Sequence, residues 1–67
     1  MGIEDRIMKH FSYDHLPSSL RNVSIRFHNL ASYIVETLEP GPERTVALRK
    51  LLEAKDAAVR SKIYPGG

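Results

Sequence analysis

Apolar residues recur at helical spacing over two long stretches of this chain. In the first stretch, residues 17–38, they fall at steps of three and four, which is the period of an amphipathic helix: Leu20, Val23, Phe27, Leu30, Ala31, Ile34 and Leu38. Pro17 suits the first helical position, and the run from Glu39 to Pro42 stops the helix and turns the chain. The pattern therefore predicts a helix over 17–38.

The second stretch, residues 42–63, predicts another helix of similar length. Its apolar positions lie on one face of that helix: Leu48, Leu51, Leu52, Ala58, Val59 and Ile63. Pro42 and Glu43 suit the start of a helix, since proline fits the first turn and negative charge favours its N-terminus. Lys55 falls inside the apolar face. A lysine there either extends its charged end to solvent or meets a partner or an anionic ligand.

The residues before these stretches predict a short helix over 3–10 and a turn over 11–17. Ile3, Ile7 and Met8 give the short helix an apolar side, but alone it is too short to be stable in water. Phe11 and Tyr13 stand two apart in the turn, so one ring can point inward and the other outward. We expect Phe11 in the core and Tyr13 with a wet hydroxyl and a ring free to stack on a planar group, although a plain surface tyrosine fits equally well.

Together these elements predict an all-α fold, a short N-terminal helix followed by a long antiparallel two-helix hairpin, as one domain over 1–67. A hairpin has one internal seam, and this chain carries more apolar residues than one seam buries. Ile25 and Tyr33, for example, lie away from the main apolar stripe. We therefore expect the hairpins to associate symmetrically.

Composition narrows the means of stabilising so small a chain. The 67 residues include no cysteine, so disulfides and thiolate metal sites are excluded. Small domains without disulfides usually gain stability from a bound metal or from oligomerisation. We therefore expect self-association to stabilise this chain. Charged residues interrupt the N-terminal region, so no secretory leader is expected, and no apolar stretch is long enough to cross a bilayer. These observations predict a cytoplasmic protein.

The candidate chemistry is that of binding and not of catalysis. No serine lies in a recognisable nucleophile turn, and the histidines lack an evident carboxylate partnership beyond Asp14 next to His15. His10, Asp14 and His15 form a weak metal-like cluster, but a closed site needs four ligands in fixed geometry. We expect no enzyme activity, no cofactor and no metal.

Positive charge supplies candidate anion contacts. The net charge is +2, with ten lysines and arginines spread along the chain among eight acids, so no basic stripe for duplex nucleic acid is present. Arg26, Arg44, Arg49 and Lys50 cluster around the predicted hairpin turn, where helix N–H groups also favour phosphates. The alternative is a solvated charged face.

Two stretches resemble a family of short phage proteins, the anti-CBASS sponges, which sequester cyclic-oligonucleotide signals of bacterial immunity. Their helical-hairpin domain is shared with sponges that counter the Thoeris defence system. One stretch is Phe11-Ser12-Tyr13 followed by the helix with Leu30-Ala31, and the other runs from Glu43-Arg44-Thr45 through Lys50-Leu51 into Glu53-Ala54. The resemblance covers nearly the whole chain.

The resemblance implies a homohexamer that holds cyclic dinucleotides between subunits without cleaving them, and in some members cyclic trinucleotides at a separate symmetric site. The family's stacking tyrosine falls on Tyr13, and a family lysine falls on His28, which can stack or donate a hydrogen bond but lacks lysine's fixed charge. Charge and resemblance together give the candidate ligand contacts Tyr13, His28, Arg26, Arg44, Thr45, Arg49 and Lys55. The place of action would be the cytoplasm of the infected host.

Three alternatives remain open from the residues. A cyclic ADP-ribose-type signal could replace the cyclic dinucleotide as ligand, since His28 departs from the family pattern. A helical module that inhibits a host protein would also present an apolar stripe. A small nucleic-acid-binding protein is disfavoured by the missing basic stripe, and salt-dependent retention on DNA would revive it.

Overall fold

A computed structural model describes residues 7–66, and these are helical except for the turns between elements and the last three residues, 64–66. Ile7 and Met8 are helical and run into a 3-10 turn at Lys9–Phe11. Helix α1 spans Ser18–Thr37 and helix α2 spans Pro42–Ile63. The two long helices pack against each other as a hairpin, and the 3-10 turn contacts both. The predicted all-α hairpin is thus confirmed, while residues 3–6 of the predicted short helix lie outside the described residues.

Local chemistry sets the helix ends. Pro17 precedes α1 in an extended conformation, with φ −56° and ψ 154°, and its carbonyl accepts hydrogen bonds from the N–H groups of Leu20 and Arg21 at 3.0 and 2.9 Å. The expectation that Pro17 is the first helical residue was therefore wrong by one position, because its ψ angle is not helical. Pro42 does begin α2, as its fixed φ and missing N–H favour.

Each of the three packed elements contributes one buried apolar residue to the core among the described residues. Phe11 comes from the 3-10 turn, Ala31 from α1 and Leu48 from α2, and each is at most 1% exposed. Half-buried side chains surround them: Ile7, Met8, Phe27, Ile34, Val35, Leu51 and Leu52. The core position predicted for Phe11 is confirmed, and its full burial contributes about 1.5–3 kcal/mol.

The seam of α1 is rotated from the predicted stripe. Ser24 and Ala31 are its buried residues, whereas Leu30 and Leu38, predicted on the apolar face, are 48% and 50% exposed. Ile63, predicted on the apolar face of α2, is 48% exposed as well. The cause is the small seam, because α2 and the 3-10 turn cover only the side of α1 centred on Ser24 and Ala31. Tyr33 is 61% exposed, as its position off the stripe predicted.

Candidate functional site

Tyr13 and His28 meet, although fifteen positions separate them in sequence. Tyr13 follows the 3-10 turn in a tight turn closed by the hydrogen bond from the Leu16 N–H to the Tyr13 carbonyl at 3.1 Å. His28 lies in the middle of α1. The ring centroids are 5.1 Å apart and the planes meet at 72°, an edge-to-face pair. In such a pair, the ring that presents its edge keeps both of its faces free of the other ring.

Two polar atoms beside this pair are buried and have no hydrogen-bond partner within residues 7–66. They are Nδ1 of His28 and Oγ of Ser24, one helical turn earlier on the same face of α1. A buried polar group without a partner costs about 1–3 kcal/mol. Ser24 is enclosed between the helices, whereas His28 is half-buried, so of these two side chains only the imidazole borders the surface.

Sequence reasoning missed Ser24 as a member of this region. Ser24 is fully buried, at 0% exposed, and its hydroxyl is enclosed by the seam. The available signal was its spacing, since Ser24, Phe27 and Ala31 share one helical face. A stripe traced through apolar residue types alone omits a serine.

Thr45 and Arg49 lie on the same side of the hairpin as His28. An α-helix turns about 100° per residue, and the seam is centred near Ser24 on α1 and Leu48 on α2. In an antiparallel pair, His28 on α1 and Thr45 and Arg49 on α2 then fall on one common side. Thr45 is half-buried and Arg49 is exposed. We call the side that carries Tyr13, His28, Thr45 and Arg49 the Tyr13 side.

Arg44 is buried at the hairpin turn and does not lie on the Tyr13 side. Its side chain enters the hairpin turn, and Nη1 donates hydrogen bonds to the carbonyls of Val35 at 3.2 Å and Leu38 at 2.7 Å. The residue is only 9% exposed. Carbonyls at a helix C-terminus lack intrahelical donors, and a guanidinium can supply them. This placement favours a structural role for Arg44, the tie between α1 and α2, over the predicted phosphate contact.

Lys55 is also engaged with the chain itself. Its Nζ donates a hydrogen bond to the His10 carbonyl at 2.7 Å and lies 3.8 Å from a carboxylate oxygen of Asp56. The side chain is 13% exposed. Lys55 therefore fastens the end of the 3-10 turn to α2. This contact explains a lysine inside the apolar face, where the sequence had offered either a solvent-directed charge or a contact across an interface.

Two further candidate cations, Arg26 and Lys50, lie outside the Tyr13 side. Arg26 is exposed and lies two positions before His28, which places it about 200° away around α1. It cannot share a pocket with His28 within one chain. Lys50 is exposed too, and its Nζ is 3.9 Å from a carboxylate oxygen of Glu53. Surface pairs of this kind contribute little to stability.

The part of the chain that the structure describes contains neither a candidate metal site nor a candidate membrane-spanning helix. Residues 7–66 hold no group of three or more His, Asp or Glu side chains that could bind a metal ion. No helix within the same residues is long and apolar enough to span a bilayer. The Tyr13 side instead offers aromatic rings, a hydroxyl and the exposed guanidinium of Arg49, a set suited to stacking on a flat group and contacting an anion.

Comparisons with protein-family models, curated proteins and solved structures each found no match to this chain. Any function assigned to it has to be argued from its own residues and from the likeness of its two sequence stretches.

Proposed function

We propose that this chain is an oligomeric, phage-encoded sponge that sequesters cyclic dinucleotide immune signals in the cytoplasm of the infected bacterium, without cleaving them. The observation that carries the proposal is the contact between Tyr13 and His28. The family resemblance maps ligand contacts onto these two residues, which come from separate segments and meet in the fold. Cyclic trinucleotides are a second ligand class for the same assembly.

The Tyr13 side supplies the three kinds of contact that a cyclic nucleotide offers. An aromatic face can stack on a base, the half-buried imidazole of His28 can meet a base edge, and Arg49 can reach a phosphate. Base stacking on an aromatic ring contributes about 1–3 kcal/mol per base. The rings, hydroxyl and guanidinium together account for the ligand class better than any single residue does.

Affinity arithmetic supports a pocket made by more than one chain. A sponge has no turnover, so it works by affinity and number, and a dissociation constant of about 1 nM corresponds to ~12 kcal/mol. Stacking on one tyrosine falls far short of that value. Contacts from two copies of the Tyr13 side, closed over one ligand, would supply two stacking rings and two guanidinium groups. Ligand binding should then stabilise the oligomer by mass action.

The test is calorimetry on the purified chain with cyclic dinucleotides, cyclic trinucleotides and cyclic ADP-ribose isomers. The expected result is tight binding of a cyclic dinucleotide and recovery of the intact ligand, checked by mass spectrometry. Preference for a cyclic ADP-ribose isomer would keep the sponge and change its signal. Absence of binding to all three classes at micromolar concentration would remove the proposal, and recovery of a cleaved ligand would make the chain an enzyme.

A further inference from the structure

The hydrogen bond from Lys55 joins α2 to the segment that carries Tyr13. Nζ of Lys55 lies 2.7 Å from the carbonyl oxygen of His10, across 45 positions of sequence. His10 lies in the 3-10 turn, three residues before Tyr13. The Lys55 side chain is 13% exposed, and a hydrogen bond from a charged donor is stronger where water is largely excluded. The bond is therefore placed to affect the course of the chain just before Tyr13.

The sequence puts Lys55 where this contact is available. Lys55 follows Leu48 by seven positions and Leu51 by four, so it lies on the seam face of α2. An unbranched lysine stem can lie along such an apolar face while its ammonium group reaches a polar partner. The 3-10 turn packs in the same cluster through Phe11. Its carbonyl groups are therefore the polar partners within reach of a lysine on the seam.

The His10 carbonyl is the acceptor that a longer 3-10 turn would use. In a 3-10 helix each N–H donates to the carbonyl three residues earlier, as the Ser12 N–H does to the Lys9 carbonyl at 3.2 Å. The next bond of that series would join the Tyr13 N–H to the His10 carbonyl. Ser12 instead takes φ −59° and ψ 143°, an extended conformation, and the chain leaves the turn. Lys55 thus supplies a donor that the His10 carbonyl would otherwise receive from a continued turn.

The point at which the turn ends decides where the Tyr13 ring lies. Phe11 is held in the core at 0% exposed, so only Ser12 separates this anchor from Tyr13. The extended Ser12 leads Tyr13 to its contact with His28, with the ring centroids 5.1 Å apart. A further 3-10 step would instead rotate the next residue by about 120° around the turn axis. The ring would then lose its position against His28.

We propose that Lys55 is a positioning residue for Tyr13. By holding the His10 carbonyl, it ends the 3-10 turn and sets the tyrosine ring against His28. This role takes the place of the direct ligand contact that the sequence predicted for Lys55. Its effect on ligand affinity rests on the proposed function, whereas its effect on the contact between the two rings is measurable without a ligand.

The first measurement is the contact between the Tyr13 and His28 rings in the full chain without ligand, observed by NMR as nuclear Overhauser cross-peaks between their ring protons. Lys55→Met keeps an unbranched stem and good helix propensity but removes the donor. We expect the cross-peaks to disappear in this variant while helical circular dichroism stays at the wild-type level. Lys55→Arg keeps a cationic donor and should retain them. Lys50→Met removes an exposed lysine from the same helix and is the matched control, with wild-type cross-peaks.

The second measurement is the affinity for a cyclic dinucleotide by calorimetry, arranged as a double-mutant cycle. Lys55→Met alone should weaken binding by about 3- to 30-fold, within the loss that a single stacking ring can cause. In the Tyr13→Ala background, Lys55→Met should change the affinity by less than about twofold, because the ring that it positions is already absent. A direct contact between Lys55 and a phosphate would instead give losses that add.

The outcomes separate this inference from the sponge proposal. Ring cross-peaks that persist in folded Lys55→Met would overturn the positioning role, and so would additive losses in the cycle. If Lys55→Met does not fold, Lys55→Gln takes its place, because its donor nitrogen lies one atom nearer the backbone and falls short of the same bond. Lost cross-peaks in a chain that binds no cyclic nucleotide would keep the positioning role and remove the sponge. Cyclic dinucleotide binding with unchanged cross-peaks in Lys55→Met would do the reverse.

Discussion

The two sides of this hairpin are built from the same pair of helices and differ in almost every chemical respect. The Tyr13 side combines an aromatic pair, a half-buried threonine and an exposed arginine. The opposite side carries branched residues of α1 and alanines of α2, which we call the apolar face: Val23, Leu30, Ile34, Ala47, Ala54 and Ala58. Only one side of each helix faces the seam, so the two outer surfaces can differ in chemistry. The comparison shows a polar, aromatic surface and an apolar surface on opposite sides of one hairpin.

The largest expected effect comes from the residue on which both sides depend. Phe11→Ala removes a fully buried ring that packs with Ala31 and Leu48, and we expect a loss of about 3 kcal/mol or more in unfolding free energy. A small domain has little stability to spare. Urea unfolding followed by circular dichroism measures the change, and ligand binding and association should fail together. A loss below about 1 kcal/mol would mean that the 3-10 turn does not anchor the core.

The second-largest expected effect is the loss of stability when the Arg44 hydrogen bonds at the hairpin turn are removed. Arg44→Met keeps an unbranched side chain but removes the donors to the Val35 and Leu38 carbonyls, and hydrogen bonds from charged groups contribute about 1.5–3 kcal/mol. We expect destabilisation of that order in urea unfolding. Cyclic nucleotide affinity, measured under conditions where the variant is folded, should stay at the wild-type value. A selective loss of affinity with unchanged stability would restore Arg44 as a phosphate contact on the ligand-binding surface.

Tyr13→Ala tests the ligand side directly. Loss of one stacking ring should weaken cyclic dinucleotide binding by about 1–3 kcal/mol, or roughly 5- to 150-fold, measured by calorimetry. Sedimentation should show an unchanged mass, because Tyr13 lies away from the apolar face. Tyr13→Phe keeps the ring and serves as the matched control, with near wild-type affinity. Dissociation of the assembly by Tyr13→Ala would instead assign this ring to an interface.

The smallest expected effect is a difference in ligand affinity between variants of two exposed arginines, Arg49 on α2 and Arg26 on α1. Arg49→Ala should weaken ligand binding several-fold at low salt and less at high salt, because an exposed charge is screened by ions. Arg26→Ala removes the same charge from the far side of α1 and should leave the affinity within about twofold. Calorimetry at two salt concentrations measures both. Equal losses for the two variants would show that the Tyr13 side is not the ligand surface, or that Arg26 reaches the ligand of a neighbouring subunit.

Several features of the fold followed from local patterns in the sequence. The three- and four-residue apolar steps predicted two long helices, and α1 begins one residue later and ends one residue earlier than expected. Proline and glycine near Gly41 marked the turn. These features are readable because helix period, capping and turn chemistry act over a few neighbouring residues.

The candidate site was less accessible to sequence reasoning. Residue type offered both Tyr13 and Arg44 as possible ligand contacts, and the resemblance added His28. The fold separates these residues, since it joins Tyr13 to His28 and directs Arg44 to backbone carbonyls. Ser24 was missed because a hydroxyl carries no apolar signal, although its spacing puts it in the seam.

The sequence by itself determined the helices, the turn between them, the buried place of Phe11 and the surplus of apolar residues over one seam. Only the tertiary structure decided which cations are engaged by the chain, which rings touch and which apolar residues stay open, as Lys55 and Leu30 illustrate. The physical reason is distance along the chain. A helix is specified by neighbours a few positions apart, whereas the partner of a buried arginine, lysine or histidine lies on another element whose position is fixed only when the helices pack.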